Sequence, residues 1–303
     1  MTCVAIKWIP AQKEDYTVKE KITHLFFVLL LSSFLLTACT EQTVPITENS
    51  YDVKVEQTAS HVETEVKEAN GSHAEEWSYE GKTGPEHWGG LNSVYSACSK
   101  GKEQSPINIE SSHIKNPDAT ETEDITIHYE PILYTIENTG YTIQANPITR
   151  RNILGLNGKE YALEQFHFHT PSEHQFNGKS FPMEMHLVHK DPYGKLAVLG
   201  IMIHEGNENE KLAPAWNVLP KKESEKAIVK EPIDLNALLP QNKTAFHYKG
   251  SLTTPPCTEG VKWVVLEQPI YMSTNQIQAF KTIFPDNHRP VQPINEREVI
   301  KND

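Results

Sequence analysis

The chain has 303 residues, a mass of 34.3 kDa and a formal net charge of −12 at pH 7. That length suffices for one sizeable core with appendages. The acidic balance argues against nucleic acid as a partner. It does not exclude a small anion held beside a metal ion, because the charge of the ion dominates its own pocket.

The N-terminal region has the layout of a secretory leader. The apolar run LFFVLLLSSFLL at 25–36 follows two lysines and is too short for a comfortable membrane span. It ends in LTAC at 36–39, which resembles a bacterial lipobox. We therefore predict a leader over 1–38 and an exported cell-envelope lipoprotein, on the periplasmic or outer surface, held to the membrane only through lipid on Cys39. The alternative is an ordinary signal peptide with an incidental cysteine.

The next segment, 39–72, changes in composition. Carboxylates outnumber lysines there, and no sustained apolar period appears. Such a segment cannot bury enough apolar surface to form a core, so we predict an acidic, solvated tether.

A folded domain is predicted over 73–303. Short alternating segments are separated by Pro, Gly and Asn, and helical patterns are confined to the regions around 212–219 and 274–283. The strand segments are ITIHYE, YTIQAN, YALEQFHFH, MEMHLVH, LAVLGIMI, KTAFHYKGSL and KWVVLEQPI. This pattern predicts an α+β domain dominated by β-structure.

Two of these segments carry three histidines at strand spacing. His167 and His169 point to one face of their strand, while Phe166 and Phe168 point to the other. If the following strand pairs antiparallel with this one, His186 completes a triangle of imidazoles. Three histidines converging on rigid strands predict a zinc site.

The residue types suit catalytic zinc. Such zinc takes three protein ligands and leaves its fourth position to water, and neutral imidazoles leave the full double charge to lower the pKa of that water to about 7. Gln165 and Glu184 each lie two residues before a histidine, on the same face, where they can orient a ring N–H. Isolated strand histidines are more often structural, which is our prediction for His174, His189 and His204.

The domain as a whole resembles the alpha-class carbonic anhydrases. The resemblance rests on GPEHW, QSPINI, QFHFH, MEMHLVH, LAVLGI and GSLTTPPC, in this order between about 73 and 300. It implies a large, twisted, mostly antiparallel central sheet with a few short peripheral helices and a zinc cleft on the sheet. It also implies a lyase that reversibly hydrates carbon dioxide to bicarbonate and a proton, by attack of zinc-bound hydroxide.

The resemblance assigns individual roles. His167, His169 and His186 match the zinc ligands. Thr253 matches a gatekeeper threonine that accepts the hydrogen of the hydroxide and donates its own to a buried carboxylate, here Glu173. This arrangement aims an oxygen lone pair at the substrate and disfavours ligands that cannot donate a hydrogen.

The resemblance also implies a substrate site. An apolar wall beside the hydroxide suits a linear, nonpolar gas, whereas composition alone favours ordinary core residues at the same positions. Thr254 lines the same cleft. The wall residues are Val188, Val198, Leu252 and Trp263.

One position departs from the family pattern. Fast relatives carry a proton-shuttle histidine in a segment like NNGH, but here the segment 138–141 reads NTGY. Tyr141, with a reference pKa near 10, is poorly matched to a zinc-bound water near 7. We expect slow proton export, unless His73 or His87 reaches the cleft.

The cysteines fit an exported protein. Setting aside Cys3 and Cys39, the mature domain keeps Cys98 and Cys257, and an even pair in an exported chain suggests a disulfide. Exported members of the resembled family have a bridge at matching positions. Closing so long a loop stabilises by roughly 5 kcal/mol in the chain-entropy model. The alternative is two free, buried thiols.

Two other functions compete with the lyase. A surface binding module can keep this fold without turnover, although such relatives typically lose zinc histidines. The same zinc site can also act as a promiscuous esterase. The sequence does not indicate an oligomeric state.

Overall fold

A computed structural model describes residues 76–115 and 124–302. The leader predicted over 1–38, Cys39, the tether predicted over 39–72 and His73 lie outside the described residues. Within the described part of the chain, no helix is both long enough and apolar enough to cross a membrane.

The described residues form strands and short helices. The strands are β1 (Asn108–Ile109), β2 (Ile114–Lys115), β3 (Ile125–His128), β4 (Tyr134–Asn138), β5 (Ile143–Pro147), β6 (Ile153–Leu156), β7 (Lys159–His169), β8 (Gln175–Phe176), β9 (Met183–Lys190), β10 (Leu196–Glu205), β11 (Lys226–Ile228), β12 (Ala245–Ser251), β13 (Glu259–Met272) and β14 (Val299–Asn302). The helices are α1 (Trp88–Leu91), α2 (Ala97–Lys100), α3 (Ala213–Trp216), α4 (Leu235–Leu238) and α5 (Thr274–Ile283). Single 3₁₀ turns cover Gly81–Thr83, Ser93–Tyr95 and Ser111–His113.

One 12-stranded sheet organises the domain. Its strand order is β11-β4-β5-β7-β9-β10-β13-β12-β14-β2, and β6 joins β3 to β7 at one side. The ladders are antiparallel except for β10 with β13 and β14 with β2. The predicted fold class, a large, mostly antiparallel sheet with a few short helices, is confirmed.

Each predicted strand segment and each predicted helical region overlaps an observed element, but the lengths differ and several elements were not predicted. Helix α5 begins after Ser273, whose side chain and that of Gln276 form a capping box. Helix α3 covers only four residues of the region 212–219, and the turns after it stop before Pro220, which disfavours helix in the residue before it. The sequence prediction omits the four-residue helices α1, α2 and α4 and half of the strands, namely β1, β2, β4, β6, β8, β11 and β14. The burial of β4 nevertheless alternates with the period of a strand.

A β-bulge in β7 decides which side chains face the core. Tyr161 and Leu163, at odd positions, lie in the larger core, and so do Phe166 and Phe168, at even positions. The pairing of β7 with β9 shifts between Leu163 and Gln165, which leaves Glu164 as the extra residue. The histidines that follow the bulge therefore face away from the larger core.

The disulfide belongs to a small cluster of apolar side chains that is separate from the larger core. Cys98 and Cys257 are joined, with 5.0 Å between their Cα atoms. They pack with Trp88, which is fully buried, and with Trp77 and Tyr79 from the first described residues. The bridge connects α2 to the loop between β12 and β13, 159 residues further along the chain.

His189 gives a testable pH dependence of stability. It is buried in the larger core, its Nε2 lies 2.7 Å from the Tyr129 hydroxyl, and burial lowers its pKa to about 3. The unfolded chain therefore takes up a proton near pH 6.5, whereas the folded chain does so only near pH 3. This contribution to stability is present above pH 6.5 and is lost as the pH falls towards 3.

We expect the unfolding free energy of the natural protein to decrease as the pH is lowered from 6 to 4. The decrease should be steeper than that of His189→Gln by about 1.4 kcal/mol per pH unit. Urea unfolding of both metal-free proteins at several pH values measures the difference, because the other titrating groups are the same in both. Parallel pH profiles would contradict the prediction.

Candidate metal centre

The three predicted ligands meet on neighbouring strands. β7 and β9 are antiparallel, and His167 lies directly opposite His186. The ring centroids are 4.9 Å apart for His167 and His169, 5.2 Å for His167 and His186, and 4.7 Å for His169 and His186. One nitrogen from each ring lies within 4.8 Å of the other two, which is a spacing that a single metal ion can bridge.

The second nitrogen of each histidine is held by an oxygen atom. His167 Nδ1 lies 2.8 Å from Gln165 Oε1, and His186 Nε2 lies 2.8 Å from Glu184 Oε1. His169 Nδ1 lies 2.7 Å from the backbone oxygen of Asn287. These oxygens only accept hydrogen bonds, so each of the three nitrogens must carry the proton. The lone pairs are left on Nε2 of His167, Nε2 of His169 and Nδ1 of His186.

The residues present fit a zinc ion. His169 Nε2 is buried and has no hydrogen-bond partner among the described residues, as expected of an atom that donates its lone pair to a metal. Burial lowers the pKa of His169 to about 4, and burial also lowers the pKa values of His167 and His186. All three rings are therefore neutral at pH 7, and a neutral imidazole is the form that binds metal.

Glu184 is the centre of the hydrogen bonds behind His186. Its carboxylate accepts from His186 Nε2, from His174 Nδ1 at 2.7 Å, and from the backbone N–H groups of Glu173 and His174. Burial opposes ionisation, but attraction to His174 and His186 and their hydrogen bonds hold the pKa of Glu184 well below its usual value. The predicted structural histidine His174 thus belongs to the network behind the site.

His174, Glu184 and His186 also form a compact group of possible metal ligands. Their facing atoms are already hydrogen-bonded to one another, and His174 Nε2 lies 2.6 Å from the Tyr248 hydroxyl. We therefore interpret this group as a hydrogen-bond network and not as a second metal site.

Glu173 lies on the other side of the histidines. Its Oε2 is 3.5 Å from His169 Nε2 and 3.8 Å from His186 Nδ1, while Oε1 accepts the backbone N–H of Arg289 at 2.8 Å. Burial raises the pKa of Glu173, and attraction to His186, the Arg289 N–H and a hydrogen bond from the Thr253 side chain oppose that rise. The structure thus brings Thr253 and Glu173 together beside the three rings.

The predicted apolar wall is contiguous. Val198 lies opposite Val188 on β9 and beside Trp263 on β13, and the three belong to the smaller of the two sheet cores with Leu252 packed against it. The ring of Trp263 is 4.9 Å from that of His186. The predicted wall therefore begins beside His186, one of the three predicted ligands. Thr254, one residue after Thr253, accepts the backbone N–H of Cys257 through its carbonyl.

Tyr141 is held by the first described residues of the chain. Its hydroxyl donates to Glu76 Oε1 at 2.8 Å, and its ring stacks on Trp77 with centroids 3.8 Å apart. Burial, followed by the hydrogen bond to Glu76, raises the pKa of Tyr141 well above its usual value. This phenol therefore does not exchange protons near pH 7. His87 is half exposed, and its ring contacts Glu86.

Two contributors to the site were not predicted. Asn287 supplies a backbone oxygen to His169, and Arg289 supplies a backbone N–H to Glu173. Both act through main-chain atoms, which every residue type has, so the sequence DNHRP carries no signal of either contact. The bulge in β7 did leave a signal, because the spacing of three residues from Leu163 to Phe166 breaks the alternation.

The domain is similar to known carbonic anhydrases. The sequence model described as "Eukaryotic-type carbonic anhydrase" matches residues 83–303. A carbonic anhydrase of Klebsiella pneumoniae is 44% identical over 230 residues, which cover 75% of this chain and 92% of that protein. One from Neisseria gonorrhoeae is 42% identical over 239 residues, covering 77% and 90%.

A solved structure supports the same assignment. The alpha-carbonic anhydrase of Thermovibrio ammonificans, in complex with the inhibitor sulfanilamide, superposes with a TM-score of 0.71 at 42% identity, over 74% of this chain and 98% of that one. The chain therefore belongs to the eukaryotic-type, or alpha-class, carbonic anhydrase family.

Proposed function

We propose that this carbonic anhydrase depends on zinc and reversibly hydrates carbon dioxide to bicarbonate and a proton. The observation that carries the proposal is the convergence of three lone-pair nitrogens, from His167, His169 and His186, within 4.8 Å. Hydrogen bonds on the opposite nitrogens fix each ring in the form that leaves this lone pair. The identity to bacterial carbonic anhydrases supports the reaction.

In this proposal the three histidines and the groups that hydrogen-bond to them have separate tasks. Zinc held by three neutral imidazoles would supply an activated water, because it lowers the pKa of that water to about 7. Gln165, Glu184 and the Asn287 carbonyl orient the rings and keep the ring protons away from the metal side.

Thr253 and Glu173 select what occupies the open position. Thr253 shares a hydrogen bond with Glu173. A bound dication would favour the ionised form of Glu173, which would accept the Thr253 hydroxyl hydrogen and have none to donate. The remaining lone pairs of the Thr253 oxygen then accept a hydrogen from a group at the open position. This favours a donor such as water or hydroxide and fixes its orientation.

The substrate side is apolar. Val188, Val198 and Trp263 are almost completely buried and lie side by side across three strands, with Leu252 against them. A surface that offers few hydrogen bonds suits carbon dioxide, which needs few. On the resemblance to the family, Thr254 lines the same cleft.

One experiment separates metal binding from chemistry. We expect His169→Gln to lose stoichiometric zinc and to lower carbon dioxide hydration by more than about 100-fold, because two ligands hold the ion poorly. We expect Thr253→Ala to keep about one zinc per chain but to lower kcat/KM by about 100-fold, because it loses the orienting hydroxyl. Metal analysis and stopped-flow hydration measure both effects.

His204→Gln is the matched control, since His204 is exposed and its described contacts, with the backbone oxygen of Glu205 and the rings of Phe181 and Tyr271, do not include a residue of the site. It should equal the natural protein in both measurements. Zinc bound without any hydration by the natural protein would contradict the proposal and favour a binding module that has kept the fold.

We expect the transfer of the proton to solvent to be the slow step of the reaction. Because Tyr141 is committed to Glu76 and Trp77, we propose that small diffusible bases carry the proton away. The maximal hydration rate should therefore rise several-fold as imidazole is added to a weak buffer. The same titration of Tyr141→His should give a smaller rise, and a rate independent of imidazole in the natural protein would contradict the proposal.

We also propose that the protein is exported and anchored through lipid on Cys39. The apolar run at 25–36 followed by LTAC supports this, as does a disulfide, which is typical of oxidising compartments. We expect mass spectrometry of protein from the membrane fraction of a producing bacterium to show an acylated N-terminal cysteine. Cys39→Ala should release the protein from that fraction, and unprocessed or unacylated natural protein would contradict the proposal.

A further inference from the structure

A three-residue segment, Asn287 to Arg289, contacts two site residues at once. The Asn287 carbonyl accepts His169 Nδ1 at 2.7 Å, and the Arg289 backbone N–H donates to Glu173 Oε1 at 2.8 Å. Any movement of this short segment therefore changes the orientation of a metal ligand and the position of the carboxylate that serves Thr253.

The segment is not held by a strand or a helix. It lies between α5 and β14 in irregular structure. The Asn287 side chain secures its first residue, because its Oδ1 accepts the Thr170 N–H and its Nδ2 donates to the carbonyls of Phe168 and Tyr141. None of these hydrogen bonds involves Arg289, the last residue of the segment.

The Arg289 guanidinium provides that attachment. It is only 1% exposed and donates to Ser105 O and Cys98 O at 2.8 Å and to Gln104 Oε1 at 2.9 Å. Gln104 in turn donates to the backbone oxygen of Cys257 at 3.1 Å. The guanidinium is thus fastened to the chain on both sides of the disulfide.

The Arg289 guanidinium also carries a buried positive charge. Burial lowers the pKa of Arg289 to about 10, while attraction to Glu173 opposes that shift, so the group is charged at neutral pH. Its hydrogen-bond acceptors among the described residues are neutral oxygens. A buried cation whose acceptors are all neutral is costly unless its hydrogen bonds are well formed, and the guanidinium of Arg289 makes three of them at 2.8–2.9 Å.

Building on the zinc function proposed above, we propose that Arg289 is a positioning residue for the metal centre. Its guanidinium fixes the segment 287–289 to the disulfide region, and the segment in turn fixes the His169 ring and Glu173. None of the contacts described for Arg289 is with a lone-pair nitrogen of the three histidines or with the apolar wall. Arg289 therefore acts only through His169 and Glu173.

The chain offers a matched control in Arg297. Its guanidinium also donates to backbone oxygens, those of Pro293, Ile294 and Lys249, and it also lies over an aromatic ring, that of Tyr248 at 5.6 Å. Arg289 lies over the ring of Trp88 at 5.7 Å. The two arginines thus make the same kinds of contact, although Arg297 is only partly buried, and Arg297 does not belong to the segment that contacts His169 and Glu173.

The test compares Arg289→Lys with Arg297→Lys. Lysine keeps the charge but lacks the planar fork that binds three oxygens at once. We expect zinc to pass from Arg289→Lys to a chelator about 10-fold faster than from the natural protein, because loss of outer contacts to a ligand weakens metal binding 10- to 100-fold. We also expect kcat to fall with KM within about two-fold, and Arg297→Lys to match the natural protein in both.

A second variant guards against misfolding. Gln104→Ala removes one acceptor of the guanidinium and its link to Cys257, and we expect a smaller change in the same direction. Unchanged zinc release in a folded Arg289→Lys protein, or equal acceleration in Arg297→Lys, would overturn the positioning role. A natural protein that binds no zinc would overturn the proposed function together with this inference, whereas an active natural protein with unaffected variants would overturn the inference alone.

Discussion

The rest of the site depends on the bulge in β7, which changes the set of side chains that faces the larger core. Before Glu164 the odd-numbered residues face the larger core, and after it the even-numbered residues do. His167 and His169 consequently leave the core face and meet His186 on β9. Because side chains alternate with a period of two, a strand without this extra residue would turn either Tyr161 and Leu163, or Phe166 and Phe168 together with the histidines, to the wrong face.

The three histidine rings are surrounded by groups that hydrogen-bond to them, and these groups have hydrogen-bond partners of their own. The rings are oriented by Gln165, Glu184 and a carbonyl, and Glu184 is itself saturated by four hydrogen bonds. A buried carboxylate with fewer partners would be costly. These outer hydrogen bonds hold the three rings in place without a metal, which would reduce the reorganisation that the proposed zinc binding requires.

Burial acts differently on the groups that it surrounds. It disfavours the charged forms of His167, His169 and His186 and so keeps these rings neutral. It acts in the same way on Glu184, but two neighbouring histidines reverse the outcome. One dry environment therefore holds neutral ligands and an ionised hydrogen-bond acceptor a few ångströms apart, because local partners decide which form each group takes.

The sequence by itself determined the strand-rich fold, α5 and the shared face of His167 and His169, since these follow from period-two and period-3.6 patterns and from local capping chemistry. The ordered family strings added the Thr253 and Glu173 pair, which lie 80 positions apart in the chain. Only the tertiary structure decided how these pieces meet: the register of β7 with β9, the Asn287 carbonyl behind His169, the attachment of Arg289 and the capture of Tyr141 by Glu76 and Trp77. The physical reason is that these contacts use backbone atoms or join distant segments, and neither leaves a periodic or compositional pattern in the chain.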